Sequence, residues 1–261
     1  MEYLGSQDWD LPKPVIIMGL KDGTLESLVE QGCSVPIEDL SSIVCHHMLK
    51  ATDFLSAAEL IHRDLKPANI LYVTRQGQYH FQLGDLGFCH RENLAITYAG
   101  SPLYMAPEMI DGGKQTHKVD VWSLFVTMLW TLDVQGYRRT SATFRSLGEA
   151  RDTVLRLASS EIMFQIREMA KINPEERASA AQMLVKCFNG AGLTTPRHLV
   201  PPMRKRGGIV TSLPSRDNMT RVPQAQLRQP YAPVPKKHLG QAKAARTLRK
   251  FRIPGGFSDY E

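Results

Sequence analysis

One eleven-residue block limits what this chain can fold into more than any other stretch: I-H-R-D-L-K-P-A-N-I-L, residues 61–71. Ahead of it, from Ile37, apolar residues recur every three or four positions behind Pro36, a residue suited to a helix start, which predicts a helix of about six turns. After it, I-L-Y-V, the turn R-Q-G-Q and then H-F-Q-L read as a β-hairpin. The polar block must therefore be the loop that joins a long helix to a strand. On that loop Asp64 and Asn69, a carboxylate and an amide, stand five apart.

The rest of the first 195 residues patterns as a folded body. Val15 to Met18 is a short apolar run that predicts a strand, followed by the turn K-D-G-T and a helical L-E-S-L-V. Val119 to Leu132 is almost wholly apolar and longer than most strands, which predicts a buried central helix. Two more helical stretches are expected, Leu147 to Met169 and Ala178 to Cys187, separated by the turn N-P-E-E.

Three further motifs follow the block in order: G-D-L-G with Asp85, A-G-S-P-L-Y-M-A-P-E ending at Glu108, and D-V-W-S-L from Asp120. With H-R-D-L-K-P-A-N these four motifs, from about Val15 to about Phe188, resemble the protein kinase superfamily of the Ser/Thr type. The fold that this resemblance implies is α+β. It comprises a predominantly helical C-lobe with the hinge and a remnant of the last small-lobe strand.

The resemblance also implies roles. Asp64 would be the catalytic base, Lys66 would contact the transferring phosphoryl group, and Asn69 and Asp85 would hold the Mg²⁺ ions that bridge the phosphates of ATP. Val15 to Met18 would be the small-lobe strand, with Met18 at the back of the adenine pocket. Gly19, Leu20 and Lys21 would be the hinge, and Leu71 the floor on which adenine rests. Ser101 would contact base and lysine, as in kinases acting on Ser or Thr hydroxyls of proteins. Glu108 would pair with Arg177, and Asp120 would hold the backbone of the catalytic loop. Arg63 would clamp a phosphate on the activation segment, with Thr97 or else Tyr98 as acceptor; Thr97 as a plain loop hydroxyl is the alternative.

The sequence also departs from the family pattern. Only 14 residues precede Val15; they contain no G-x-G-x-x-G, and their one lysine, Lys13, lies between two prolines. The small lobe is thus expected to be largely missing, which would make the chain a poor enzyme by itself. Three explanations stay open: a fragment of an active kinase, a noncatalytic pseudokinase-like interaction module, or a lobe supplied by another chain. Leu86 stands where many kinases carry phenylalanine, a mild change that keeps an apolar side chain beside Asp85.

Composition adds a second region. Residues 196–261 hold 14 Lys or Arg against 3 Asp or Glu and 9 of the 16 prolines. So little apolar content cannot offset the entropy of ordering the backbone, and the region is expected to be a disordered tail. The organisation is then an extension at 1–14, a truncated kinase domain at 15–195 and a basic tail at 196–261. The tail could meet an acidic partner, in part as a basic amphipathic helix around Leu239 to Phe251; nucleic acid is not the expected partner. His46 and His47, adjacent on a helix, read as packed or solvated residues and not as a metal pair. Four dispersed cysteines, no leader pattern and no long apolar run point to an intracellular protein, cytoplasmic or nuclear, with no transmembrane segment.

Overall fold

The computed structural model describes residues 3–7, 15–92 and 99–203. Lys13, Thr97, Tyr98 and the tail from residue 204 onward lie outside the described residues. In chain order, strands β1 (Tyr3–Gln7) and β2 (Val15–Met18) form an antiparallel ribbon. Strand β3 (Gly23–Thr24) leads into helix α1 (Leu25–Gln31), whose first turn is closed by reciprocal hydrogen bonds between Thr24 and Ser27. Helix α2 (Ile37–Ala57) follows, then β4 (Leu60–Ile61), β5 (Ile70–Arg75), β6 (Gln78–Leu83) and β7 (His90–Arg91). The short α3 (Pro107–Ile110) precedes α4 (Lys118–Thr131), α5 (Tyr137–Ser141), α6 (Leu147–Leu157) and α7 (Ala180–Phe188).

Helix α4 is the centre of the body, with twelve of its fourteen residues buried. An apolar helix of this kind has no solvent face to hold its polar residues, so their hydroxyls turn back onto the helix. Ser123 donates to the Val119 carbonyl, Thr127 to that of Ser123 and Thr131 to that of Thr127. Each buried hydroxyl is thereby satisfied at no cost in backbone hydrogen bonds. Helix α2 packs on α4, α7 and β6. Its buried Asp53 accepts from the backbone amides of Thr194 and Thr195 and from the Thr195 hydroxyl, which fastens the segment after α7 to the body.

The polar block sits where the sequence places it, between α2 and the hairpin of β5 and β6, which turns at Gln76 and Gly77. In the three-stranded sheet the order is β3-β5-β6. One expectation changes. The stretch Leu147 to Met169 is not one helix: α6 ends at Leu157, the Ser160 hydroxyl takes the Leu157 carbonyl, and a run of 3-10 turns continues from Glu161 to Ala170. The Ser160 hydroxyl competes locally for a backbone carbonyl, which helps to break the α pattern. Residues 3–7, within the expected extension at 1–14, pair with β2. The side chains of β2 remain 41–52% exposed.

Candidate functional site

The loop at residues 61–69 is held from below by one buried carboxylate. Asp120, on the first turn of α4 and 1% exposed, accepts the backbone amide of His62 on one oxygen and that of Arg63 on the other, both at 2.8 Å. Burial pushes the Asp120 carboxyl up, against the opposing pull of His62 and of the two amides. His62 is itself fully buried, and its Nε2 lies 2.9 Å from the Gly84 carbonyl, linking this loop to the one that carries Asp85. Arg63 adopts φ +68°, rare for a side chain of its size, and its Nε donates to the Phe88 carbonyl at 2.8 Å.

On this base four polar groups converge. Asp64, 3% exposed, receives the Ser101 amide on Oδ1 at 2.8 Å, and on Oδ2 the Asn69 side-chain amide at 2.8 Å and Lys66 Nζ at 2.9 Å. Lys66 Nζ also donates to the Ser101 hydroxyl at 2.6 Å. Burial works to raise the Asp64 carboxyl, but the hydrogen bonds from Lys66, Ser101 and Asn69 and the lysine charge outweigh it and hold the group below the ordinary carboxylate range. Gly100 allows this closure. Its φ is +104°, and a Cβ there would collide with the Arg63 carbonyl, so no other residue lets the segment at 100–104 approach so closely.

The oxygen donors expected for a metal fit a hard cation. Both hydrogen bonds from Asn69 Nδ2 go to Asp64, one to its backbone and one to its side chain, which leaves Asn69 Oδ1 as an open acceptor. Asp85 is exposed in the left-handed region, at φ 57°, and commits only Oδ1 to the Gly87 amide. The Gly84 amide, donating to the Asn69 carbonyl at 2.8 Å, ties the two positions together. One carboxylate and one amide oxygen suit Mg²⁺, which keeps most of its sphere for phosphate and water.

Leu71 is half-buried on β5, opposite Gln82, with its side chain against Gly84, where a Cβ would meet Leu71 Cδ1 at 2.7 Å. Met18 ends β2 and is 48% exposed; Gly19 and Leu20 belong to no strand or helix, and Leu20 is 94% exposed. After Lys21 the chain is anchored at Asp22, whose amide donates to the Tyr72 carbonyl and whose carboxylate accepts from the Thr74 amide. The loop, Lys66, Ser101 and Asp85 thus form one cluster, while Met18 to Lys21 form a separate connector leading into β3.

Behind the segment at 100–108, Glu108 and Arg177 pair through two parallel bonds of 2.7 and 2.9 Å, with the arginine 1% exposed. Arg177 spends its remaining donors on the carbonyls of Lys118, Lys171 and Ile172. Sequence reasoning reached this pair but assigned no role to His62 or Gly100. Their contacts depend on φ values and on loops 20 to 40 residues apart, for which spacing carries no signal. Thr97 and Tyr98, the candidate phosphate acceptors, lie outside the described residues. His46 is packed, its ring stacked on Phe188 at 4.5 Å.

Comparison with known proteins shows the family. The chain is 38% identical over 101 residues to the ovarian-specific serine/threonine-protein kinase Lok of Drosophila melanogaster, covering 36% of this chain and 21% of that protein. It is 28% identical over 203 residues to serine/threonine-protein kinase 10 of Mus musculus, covering 72% of this chain and 21% of the relative. With serine/threonine-protein kinase ste20 of Aspergillus fumigatus it shares 28% over 212 residues, 77% of this chain and 25% of the relative. The chain therefore matches a quarter or less of the length of these relatives. The family described as the protein kinase domain matches residues 12–188, a span that contains every member of the cluster, and the chain belongs to that family.

Proposed function

We propose that this chain carries the catalytic half of a protein Ser/Thr kinase site, transferring the γ-phosphoryl group of ATP to Ser or Thr hydroxyls of proteins. The observation that carries the reading is the convergence of Asp64, Lys66, Asn69 and Ser101 within hydrogen-bonding distance of one another. Asp64 orients the attacking hydroxyl. A carboxylate held below its ordinary range is a weak base, so its main work is positioning, and the proton reaches it only as the hydroxyl oxygen bonds to phosphorus. Lys66 lies where it can offset charge on the transferring group while the Ser101 hydroxyl keeps it aimed. Mg²⁺, when bound, neutralises the charge that builds on the phosphate oxygens, and Asn69 Oδ1 and Asp85 Oδ2 are the atoms that would hold it.

Adenine would lie along the backbone of Gly19 to Lys21 and against Leu71, with Met18 at the rear. Such a site needs ATP and a protein substrate, and the four free cysteines fit a reducing, nucleotide-rich compartment inside the cell. Isothermal titration with ADP, with and without Mg²⁺, tests the nucleotide half of the reading. Wild-type protein should bind ADP at least ~10-fold more tightly with Mg²⁺, and Asp85→Asn should erase that difference. Equal affinity in both conditions would contradict the assignment of Asn69 and Asp85.

A further inference from the structure

Away from the catalytic cluster, the 3-10 run at Glu161–Ala170 packs on α6 and α4. Ten residues is long for such a run, because side chains three apart eclipse one another. Here the eclipse sorts the residues into rows. Met163 and Met169 are fully buried and Ile166 is half-buried, so that row faces the core. The next row turns Phe164 and Arg167 outward, with the guanidinium 3.9 Å from the centre of the ring. Stacking of this kind holds a long side chain in place and leaves the edge of its planar fork open to a ligand. The Arg167 side chain donates no hydrogen bond to any described residue. Its Nε stands 3.6 Å from Glu168, a carboxylate that Lys186 already holds at 2.7 Å. Beside this row lies a groove of about 700 Å³, walled by Leu155 of α6, by Phe164 and by Ile172. Phe164 and Ile172 are 48% and 49% exposed. Arg167 and Lys171 also line it, against one carboxylate, Glu176. The Lys171 ammonium has no ion pair or hydrogen bond with any described residue.

We propose that this groove docks an acidic peptide segment of a partner protein. An apolar side chain of the peptide sits between Leu155, Phe164 and Ile172, and a neighbouring carboxylate pairs with Arg167 and Lys171. Two cations against one carboxylate leave the groove with a positive surplus, and the stacked fork of Arg167 matches a carboxylate through two parallel hydrogen bonds. The wall is fixed in advance, because the carbonyls of Lys171 and Ile172 both accept from the buried Arg177. A site that is rigid before binding loses less entropy when it is filled. The concave shape suits a side chain and not a flat anionic membrane. Glu175 and Glu176, both exposed, repel a long polyanion such as nucleic acid. None of these residues belongs to the catalytic cluster, so the docking reaction stands apart from phosphoryl transfer.

The test selects displayed random peptides of about 12 residues on the full chain and measures the enriched ones by fluorescence anisotropy. The enriched peptides should combine aspartate or glutamate with a nearby aromatic or aliphatic residue. Arg167→Gln should weaken them by about 10-fold or more, and Arg167→Lys, which keeps the charge but not the fork, should recover only a small part. Lys171→Gln and Ile172→Ser should each cost about threefold or more. Exchanging the acidic residues of the peptide for their amides should match the loss seen with Arg167→Gln and cost nothing further in that variant. Asp64→Asn should bind as wild type does. If Arg167→Gln lowers the melting midpoint, Lys171→Gln, whose ammonium holds nothing in the body, decides by itself. No enriched peptide, enriched peptides without acidic residues, or acidic peptides whose affinity neither Arg167→Gln nor Lys171→Gln changes would each overturn the proposal. So would binding of phosphatidylserine vesicles or single-stranded DNA that depends on Arg167 while peptide binding does not.

Discussion

At the residue scale, the site depends on backbone conformations as much as on charges. Gly100 sits at φ +104° against the Arg63 carbonyl, and alanine there would both strain the backbone by roughly 1 to 3 kcal/mol and push Ser101 away from Asp64. Gly100→Ala should leave nucleotide binding within about twofold of wild type yet lower phosphoryl transfer by about 100-fold or more, as single-turnover measurements would show. Asp64 gives a pH prediction of definite sign. Its carboxyl is held below the ordinary range, so it stays ionised as pH falls through the usual carboxylate region. No loss of turnover between pH 7 and 5 should then trace to Asp64, whereas Lys66→Met, which removes both the charge and a hydrogen bond, should move the acid limb upward. These details were only partly legible in the sequence. The resemblance carried by the motif around Asp64 and Asn69 implies the chemistry, but nothing in the spacing tells that Asn69 turns its amide hydrogens toward Asp64 and leaves its oxygen open.

At the scale of elements, the parts with strong periodicity were readable and the parts defined by pairing were not. Helix α2 carries its apolar stripe for 21 residues, and the almost wholly apolar α4, longer than most strands, reads as a buried central helix. β1 offers five residues with a glycine in the middle, and only its partner β2 makes it a strand. The 3-10 run from Glu161 to Ala170 shares its residue types with an ordinary amphipathic helix, so composition could not separate the two. The brace between α3 and the loop before α7 was legible because Glu108 and Arg177 stand in recognisable motifs. Removing one partner leaves the other charge buried, at a cost on the order of 3 to 5 kcal/mol. Arg177→Met should lower the thermal midpoint by many degrees, while Glu108→Gln with Arg177→Met together should recover part of the loss; equal midpoints for Arg177→Met and wild type would remove the brace from the account.

For the whole molecule, stability should fall in mild acid, and α2 supplies a reason. His47 accepts the Phe81 amide on Nδ1 at 3.2 Å, joining α2 to β6, and burial, then the charges of Lys50, His46 and His80, pulls its pKa from 6.5 down to about 4. The unfolded chain takes up this proton near pH 6.5 and the folded one only near 4. The contribution is therefore complete above about 6.5 and is lost progressively as pH falls toward 4. His47→Asn keeps an acceptor for the amide but cannot titrate, so its melting temperature should drop less between pH 7 and 5 than that of wild type. No helix among the described residues is long and apolar enough to cross a membrane. The body instead presents one polar cluster built from four sequence motifs brought together by α4 and the central loop. That cluster is the central claim, and phosphate transfer from radiolabelled Mg·ATP to a serine-containing protein substrate tests it most directly when wild type is compared with Asp64→Asn. The account predicts transfer by wild type and a drop of roughly 100- to 10,000-fold in the variant, as expected on removing the group that orients the attacking hydroxyl and takes its proton; equal background transfer by both proteins would contradict it.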